Sequence, residues 1–400
     1  MRWLDPAGAV ASMTEVPRRH LEGGGKQSVL VRLGELAFRA PRILGGEARL
    51  AGLSCQTCHP NGDANTRFLV PEVSDRPGNV DVSHRLFNRM TDDGRANPVN
   101  IPSLRGVALT APYGRDGRIA SLREFTRNVI VTEFDGAEPA GWLLDALVAY
   151  QQQLGFLPGA ASAPGGRLTD TASPAAKRGE ALFHRPFPKQ PSLSCAACHQ
   201  PSGNFTDGRR HDVGSGGVYV TPSLRNASHT GPYFHDGGRP DFAAVVAHFD
   251  RVFGLGLDAA ERGDLVAYLK VVGQAERPSV RLRPADELAR LADGLSVVDF
   301  AAADENAPVG AFAAAALRFE LGRMYARFPH DGGAVVRGLL LELSKGLRRL
   351  VDLFEAGEFI AARARLRELE GVMGKVGHEV EAAAAGSLYD PTALEAARGG

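Results

Sequence analysis

Residues 102–117 read PSLRGVALTAPYGRDG, and residues 222–237 read PSLRNASHTGPYFHDG. Nine of the sixteen positions are identical, at a constant offset of 120. A shorter stretch precedes each copy, LSCQTCH at 53–59 and LSCAACH at 193–199. A repeated order of motifs has to be recognised before a fold is assigned, because each copy forms the same kind of structural unit. The chain is therefore predicted to contain two related halves.

Each half carries one CxxCH motif. The motif residues are Cys55, Cys58 and His59 in the first half and Cys195, Cys198 and His199 in the second. Two thiols three residues apart on a tight turn reach the two vinyl groups of one porphyrin, and the adjacent histidine is carried under the iron. A four-cysteine zinc site, a redox-active pair or two disulfides are the alternatives, but the histidines do not follow from them. We predict two covalently bound haem c groups, with His59 and His199 as axial ligands.

The rest of the pattern is typical of a helical chain. Ser173 and Pro174 form an N-cap and first-turn pair before a helix. Residues 121–134 and 141–154 have amphipathic spacing, and strand signals are sparse. The predicted fold is mainly α, with two cytochrome c-like haem domains in tandem and a C-terminal α-helical bundle.

Changes in composition mark the predicted domain boundaries. Residues 157–174 are rich in Pro, Gly and Ser, which is typical of a linker. From about residue 284 the chain has abundant alanine, no CxxCH motif and long stretches of helical apolar spacing. The predicted segments are a disordered or truncated N-terminus at 1–27, haem domains at 28–156 and 175–283 with the linker between them, and a helical bundle of unknown role at 284–400.

Charge and hydropathy exclude two broad classes. The chain has 46 basic and 46 acidic residues, so it lacks the basic excess expected of a nucleic-acid-binding protein. No apolar run approaches the roughly 18 residues of a membrane span. Within the first twenty residues, Asp5 and Pro6 interrupt any apolar core of a signal peptide, so no export signal is visible.

The ordered motifs resemble the di-haem cytochrome c peroxidase and MauG superfamily. The resemblance rests on two CxxCH motifs, on NIPSLRG with TAPYGRDGR in the first half, and on PSLRN with TGPYFHDG in the second, over about residues 28–275. It implies a peroxide-binding haem in the first half, an electron-transferring haem in the second and a calcium ion between them. It also implies export to the periplasm, where a small c-type cytochrome or another donor supplies electrons.

Three functions are compatible with this resemblance. We expect a peroxidase-like oxidoreductase that reduces hydrogen peroxide at the first haem with electrons passed through the second. The first alternative is MauG-type oxidation of residues on a partner protein, with the helical bundle as a docking module. The second alternative is a di-haem electron carrier with no open site.

The resemblance also carries the calcium site and the acid–base groups onto this chain. It implies calcium ligands at the side chain of Asn100 and the carbonyls of Thr230 and Pro232, and oxygen ligands suit this cation. It implies a distal carboxylate that moves the peroxide proton, for which we predict Glu133. His84 is the only histidine in the loop after the first motif and is predicted as a distal or gating ligand.

The path between the haems departs from the family pattern. Relatives carry a bridging tryptophan where this chain has Arg115, and a guanidinium is no electron relay but pairs with a haem propionate. Tyr113 and Tyr233, one in each repeat, are the candidates to line the path, with packing beside the haem as the alternative. We expect each repeated stretch to lie on the distal side of its haem.

The sixth ligand of the second haem is a further departure. The resemblance places it fourteen residues after His235, at Phe249, which cannot bind iron. We predict the neighbouring His248 as the ligand instead. His211, His229 and His235 are the other candidates, and a five-coordinate haem remains open.

Overall fold

The computed structural model describes residues 14–25, 27–159, 164–329 and 333–398. The predicted mainly α class is confirmed. The helices are α1 Val29–Arg39, α2 Gly46–Leu50, α3 Cys55–Cys58, α4 Leu122–Asn128, α5 Gly141–Gln152, α6 Pro174–His184, α7 Cys195–Cys198, α8 Phe242–Phe253, α9 Ala259–Gly273, α10 Pro284–Ala303, α11 Ala307–Ala326, α12 Ala334–Glu355, α13 Phe359–Val380 and α14 Pro391–Arg398. The strands are β1 Glu15–Pro17, β2 Asn79–Val80, β3 Val99–Asn100, β4 Arg210–Asp212, β5 Val218–Val220 and β6 Ser279–Arg281.

Several irregular helical turns connect these elements. One π-helical segment, Val129–Glu133, continues α4. The 3₁₀ turns are Pro41–Ile43, Pro60–Gly62, Val107–Leu109, Pro164–Gly166, Pro201–Gly203, Ala227–His229 and Ala382–Ala384. Among the helices that the structure describes, none is both long enough and apolar enough to cross a bilayer.

Both halves are built on one close helix crossing. In the first half α1 crosses α5, and in the second α6 crosses α9. A Cβ at Gly34 would lie 1.9 Å from the carbonyl oxygen of Ala146, and one at Gly179 would lie 2.0 Å from that of Asp264. Only glycine permits such an approach of two backbones. The two glycines belong to the matching stretches LGELAF and RGEALF, so the repeat extends to this crossing.

The caps explain where these helices begin. The side chain of Ser28 accepts from the backbone N–H of Val31 at the start of α1, and that of Ser173 accepts from the N–H of Ala176 at the start of α6. Each hydroxyl satisfies a donor that has no partner within the helix. The N-cap predicted at Ser173 is confirmed.

The long C-terminal helices form a bundle that shares its core with the first half. Helices α10 to α13 pack on one another, and α1 packs on α10 and α11. Trp142 meets Phe312 edge to face at 5.7 Å between ring centroids. Arg39 of α1 forms a buried ion pair with Glu320 of α11. The second half has a separate aromatic core around Phe183, which indicates that the bundle is attached to the first half.

The N-terminal segment differs from the sequence prediction. The sequence predicted disorder or truncation for residues 1–27, of which 1–13 and 26 lie outside the described residues. Strand β1 pairs antiparallel with β6, with Val16 opposite Val280. Val16 and Leu21 are buried, and the Arg105 guanidinium donates to the carbonyl of Arg18 at 2.6 Å. This apolar burial and pairing with β6 hold residues 14–25 on the fold.

Candidate functional site

The first CxxCH motif forms the single helical turn α3. Ser54 caps it, and its backbone N–H donates to the Thr57 hydroxyl at 3.1 Å in a reciprocal capping box. His59 ends the turn directly after the second cysteine. Burial lowers the pKa of His59 to about 4, and the carbonyl of Pro102 opposes that shift. The imidazole is therefore neutral at physiological pH, as an iron ligand must be.

The second motif repeats this arrangement in α7. Ser194 accepts from the backbone N–H of Ala197 at its start. His199 Nδ1 lies 3.0 Å from the carbonyl oxygen of Phe205, and burial lowers the pKa of His199, opposed by carbonyls that include that of Pro222. A carbonyl at Nδ1 places the proton on that nitrogen and leaves Nε2 for a metal.

The position of the repeated stretch corrects one expectation. Pro102 and Pro222 are equivalent residues of the two PSLR motifs, and their carbonyls act on the motif histidines. The start of each repeated stretch therefore lies on the proximal side, beside the histidine, and not on the distal side as the sequence suggested.

The donor set fits haem c. All four cysteines are free thiols, so the disulfide alternative is not realised. Burial raises the pKa of Cys55, Cys58 and Cys195 to about 12, which keeps these thiols neutral. Two neutral thiols on one turn with a neutral imidazole beside them match covalent attachment of a porphyrin better than a site for a bare cation.

Glu133 lies at the end of the π-helical segment. Its carboxylate accepts from the guanidinium of Arg118 at 2.7 Å. Only 20% of the Glu133 side-chain surface is exposed. Burial raises the pKa of Glu133, while Arg118 and Arg115 oppose the shift. The side chain thus interacts with two arginines, with Arg118 by a hydrogen bond and with Arg115 by charge. Its position relative to the first motif stays a prediction.

His84 lies on a neighbouring loop. Its Nδ1 accepts from the backbone N–H of Leu86 at 3.2 Å. The pKa of Glu47 is lowered mainly by its hydrogen bond with Arg89, and the charge of His84 contributes to this. Two residues of the same loop reach the Glu133 segment: Phe87 packs on Phe134 at 5.0 Å, and the Asn88 amide donates to the carbonyl of Thr132 at 2.7 Å. The loop is close to the predicted acid, whereas the imidazole itself is engaged locally.

Arg115 lies at the boundary where the two halves meet, which we call the seam. Its Nη1 donates to the carbonyl oxygen of His235 at 2.9 Å, and the carbonyl of Arg115 accepts from the backbone N–H of Val220 at 2.9 Å. Burial lowers the pKa of Arg115 to about 10, although Tyr219, Asp236 and Glu133 oppose this. Arg115, at the position where the family pattern has a tryptophan, therefore forms contacts between the two halves.

The two predicted path tyrosines are held by their own turns. The hydroxyl of Tyr113 donates to the carbonyl of Val107 at 3.1 Å, and that of Tyr233 donates to the carbonyl of Ala227 at 3.0 Å. Burial raises the pKa of both, that of Tyr233 to about 12. These equivalent contacts fix the 3₁₀ turns of the repeats, in line with the packing alternative.

The predicted calcium ligands come together at the same seam. The Asn100 amide contacts the carbonyl oxygen of Pro232, and the backbone N–H of Asn100 donates to the carbonyl of His235 at 2.9 Å. Thr230 precedes Pro232 by two residues on the same loop. Turning the Asn100 amide over, which the hydrogen-bond pattern alone does not forbid, would present two oxygens to a hard cation.

His248 has both ring nitrogens engaged. The Arg239 guanidinium lies 2.9 Å from Nδ1, and Nε2 lies 2.8 Å from the carbonyl oxygen of Val213. Because the arginine must donate and the carbonyl must accept, Nδ1 accepts and Nε2 donates. Both nitrogens have protein partners in this structure, and His248 as sixth ligand stays a prediction.

Phe249, where the resemblance places the sixth ligand of the second haem, belongs to an aromatic cluster. Phe249 lies 5.9 Å from Phe234 and 6.0 Å from Phe253, measured between ring centroids. Phe253 in turn packs on Phe187 at 5.0 Å. This side of the second half is apolar.

Sequence reasoning missed three residues. Asn79 is fully buried, and its amide donates to the carbonyl of Asp236 at 2.9 Å, across the seam. Tyr219 stacks on His235. Arg118 supports Glu133. Only Arg118 had a signal in the sequence, because it ends the RDGR motif. Asn79 and Tyr219 lie on the short strands β2 and β5, outside the repeated motifs.

Comparisons with known proteins agree with the motif order. Residues 174–260 match the family model described as di-haem cytochrome c peroxidase. Methylamine utilization protein MauG of Methylorubrum extorquens is 28% identical over 302 residues, which cover 63% of this chain and 80% of that protein. The protein of the same name from Methylophilus methylotrophus is 25% identical over 252 residues, covering 54% and 71%.

Two solved structures are similar, with lower sequence identity. A hydrazine synthase of Kuenenia stuttgartiensis has a TM-score of 0.44 and 21% identity, and the match covers 66% of this chain and 92% of that one. A MauG-like protein associated with microbial copper homeostasis has a TM-score of 0.42 and 18% identity, covering 64% and 92%.

Proposed function

Because the family match and the MauG relatives confirm the resemblance of this chain to the di-haem cytochrome c peroxidase and MauG family, we propose that it is a di-haem peroxidase. In this proposal two cytochrome c-like domains, 28–156 and 175–283, each bind one haem c covalently. Hydrogen peroxide is reduced in the first domain, and electrons arrive through the second.

The observation that carries this proposal is the difference between the two halves. At the offset of 120, Glu133 corresponds to Phe253. The first half therefore has a carboxyl with a raised pKa and an arginine partner, whereas the second half has an aromatic cluster. Peroxide cleavage needs a group that moves a proton, and an apolar wall provides none.

The residues of the first half have separate tasks. Cys55, Cys58 and His59 would hold the first haem, and this haem would supply the iron at which peroxide is reduced. Glu133 accepts the proton of the inner peroxide oxygen and delivers it to the outer oxygen as the O–O bond breaks. Arg118 holds the carboxylate in place. The loop carrying His84 covers the segment that bears Glu133.

The second half is proposed to transfer electrons. Cys195, Cys198 and His199 would hold its haem c, which would supply the iron that takes up and passes on electrons. The aromatic cluster around Phe249 provides apolar surface in the same half. We propose a calcium ion at Asn100, Thr230 and Pro232, where it would tie the two halves together.

A second candidate function is MauG-type oxidation of a partner protein. Both curated relatives bear the MauG name, which favours this candidate as much as the peroxidase. In this reading the bundle at 284–400 presents the docking surface. Because haem c is attached outside the cytoplasm in this family, we place the protein in the periplasm with a small c-type cytochrome or another donor as its partner.

One experiment separates these candidates. The resting ferric spectrum of the purified di-haem protein is recorded, and hydrogen peroxide turnover is measured with reduced cytochrome c as donor. High-spin ferric signal and steady turnover support the peroxidase. Reaction with peroxide without turnover of the donor favours the MauG-type reaction. Two low-spin haems that react with neither reagent would identify a non-catalytic electron carrier and overturn the proposal.

A further inference from the structure

The seam between the halves contains a redox-capable side chain outside the repeated motifs. Tyr219 of β5 stacks on His235, with 4.2 Å between ring centroids and 20° between ring planes. Its hydroxyl end folds back over Gly217, at which an added Cβ would lie 2.8 Å from the phenolic oxygen. The ring is half-buried. Tyr219 is therefore held in one orientation at the point where Arg115 crosses from the other half.

Tyr219 lies where the two halves meet. On one side, the backbone N–H of Val220, the next residue, donates to the carbonyl of Arg115 at 2.9 Å. On the other side, Tyr219 is directly opposite His211 in the β4–β5 pair. Side chains at opposite positions of an antiparallel pair are neighbours on one face.

The second branch ends at the second haem attachment site. His211 Nε2 lies 2.7 Å from Asp207 Oδ2. The ligand atoms of His211, Asp207 and Cys198 all lie within 4.8 Å of one another. The thiol of Cys198 is one of the two that hold the second porphyrin in the proposed function. The β4–β5 pair thus connects Tyr219 with the cluster of His211, Asp207 and Cys198.

The two tyrosines within the repeats are less suited to this role. The hydroxyls of Tyr113 and Tyr233 donate to backbone carbonyls. A carbonyl does not take up a proton, so oxidation of either phenol would leave its proton without an acceptor. Tyr219 is half-buried, and water is its proposed proton acceptor.

We propose that Tyr219 is the one-electron relay between the two haem-binding motifs and takes the place of the tryptophan that this chain lacks at Arg115. The inference rests on the proposed function, which supplies hydrogen peroxide as oxidant. An electron passes from the Tyr219 phenol to the oxidised first haem, and the O–H proton passes to water. An electron from the second haem and a proton from water then restore the O–H bond.

The test uses the di-haem protein mixed with hydrogen peroxide and frozen within milliseconds. Electron paramagnetic resonance is expected to detect a tyrosyl radical, whose signal narrows in protein containing ring-deuterated tyrosine. Tyr219→Phe should abolish this signal and slow electron transfer from the reduced second haem by about tenfold or more. Tyr325→Phe, in the bundle, is the matched control and should leave both unchanged. Tyr219→Trp should retain the transfer, because indole is also oxidisable.

The outcomes distinguish this inference from the proposed function. If wild type does not consume peroxide, the proposed function fails. If wild type consumes peroxide while Tyr219→Phe keeps the radical and the transfer rate, the relay is overturned. Loss of the radical in Tyr233→Phe but not in Tyr219→Phe also overturns it. Haem content and melting temperature identify a folding defect in Tyr219→Phe, in which case slow transfer in a folded Tyr219→Trp would count against the relay.

Discussion

Glu133 is the residue on which the proposed chemistry depends most. Replacing it by glutamine keeps the shape but removes the proton carrier, so Glu133→Gln should lower peroxide turnover by about 100-fold or more. Glu124→Gln, on the exposed face of α4, is the matched control and should have no effect. Steady-state oxidation of reduced cytochrome c measures both. Near-normal turnover in Glu133→Gln would assign the proton transfer to another group.

The same carboxyl predicts a pH dependence. Glu133 has to be ionised to accept the peroxide proton, and burial raises its pKa above the model-compound value of 4.5. Activity should therefore fall as the pH drops through this raised pKa. Arg118 opposes the shift, so Arg118→Gln should move the acidic limb of the kcat/KM profile to higher pH. A limb that stays in place, or moves to lower pH, would contradict the role of Arg118.

Asn100 predicts the response to calcium. If its amide oxygen binds the ion, calcium at about 100 times its dissociation constant should stabilise the wild type by about 2.7 kcal/mol. Asn100→Ala should lose most of this response, whereas Asn97→Ala, at an exposed position three residues earlier, should keep it. Melting temperature with calcium and with a chelator gives the measurement. Equal responses in the two variants would exclude Asn100 as a ligand.

His248 is expected to be structural. Replacement by alanine leaves Arg239 and the carbonyl of Val213 without their partner, which should cost about 1–3 kcal/mol of unfolding free energy. The spin state of the ferric second haem should not change. A conversion from low spin to high spin in His248→Ala would show that the imidazole binds iron when the haem is present.

At the scale of elements, the helix crossings are the positions where an added methyl group should destabilise the fold most. Gly34→Ala would push a methyl into the backbone of α5 and should destabilise the protein by about 1–3 kcal/mol or more. Gly338→Ala, on the exposed face of α12 with no atom within 4 Å of the added Cβ, should stabilise by about 0.5–1 kcal/mol. Urea unfolding of both variants measures these opposite signs. A similar effect of the two substitutions would show that the crossing is looser than described.

The elements also show the limit of sequence reasoning. The helices at Gly141–Gln152 and Pro174–His184 follow from apolar spacing and caps, which are local. The helix at Pro284–Ala303 packs on both α1 and the bundle, and it was not predicted individually. The π turn before Glu133 was also missed, because periodicity does not distinguish a wide turn from the end of a helix.

In the candidate site, too, some residues were predictable from the sequence and others were not. The CxxCH cysteines and motif histidines were predicted because fixed spacing carries their chemistry, and Glu133 was predicted from the family resemblance. The pairing of Tyr219 with His235 depends on how the two halves meet. The engagement of His248 depends on Val213, in a distant loop. No local pattern encodes contacts of this kind.

At the scale of the whole molecule, the bundle stabilises the first half. Glu320→Gln should leave buried Arg39 without its partner in α11 and cost about 3 kcal/mol. Asp299→Asn breaks only an exposed pair with Arg363 and should cost less than about 1 kcal/mol. Thermal unfolding compares them. An equally small effect of Glu320→Gln would show that the bundle is held by apolar packing alone.

This interface should also weaken in acid. Burial opposes ionisation of Glu320, but Arg39 and Arg323 more than compensate and lower its pKa below the model-compound value of 4.5. The stabilisation is therefore complete above pH 4.5 and is lost as the pH falls through the lowered pKa. The melting temperature of the wild type should drop faster than that of Glu320→Gln in this range. Parallel curves would contradict this assignment.

The contact of Arg115 with the backbone of His235 has an evolutionary consequence, because these are equivalent positions of a duplicated stretch. In a homodimer of a single-copy ancestor, a residue that meets its own counterpart lies on the twofold axis, and every substitution there changes both sides of the contact at once. Fusion into one gene removes this constraint, so one copy becomes free to vary against the other. Arginine facing histidine is a pairing that only the fused chain permits.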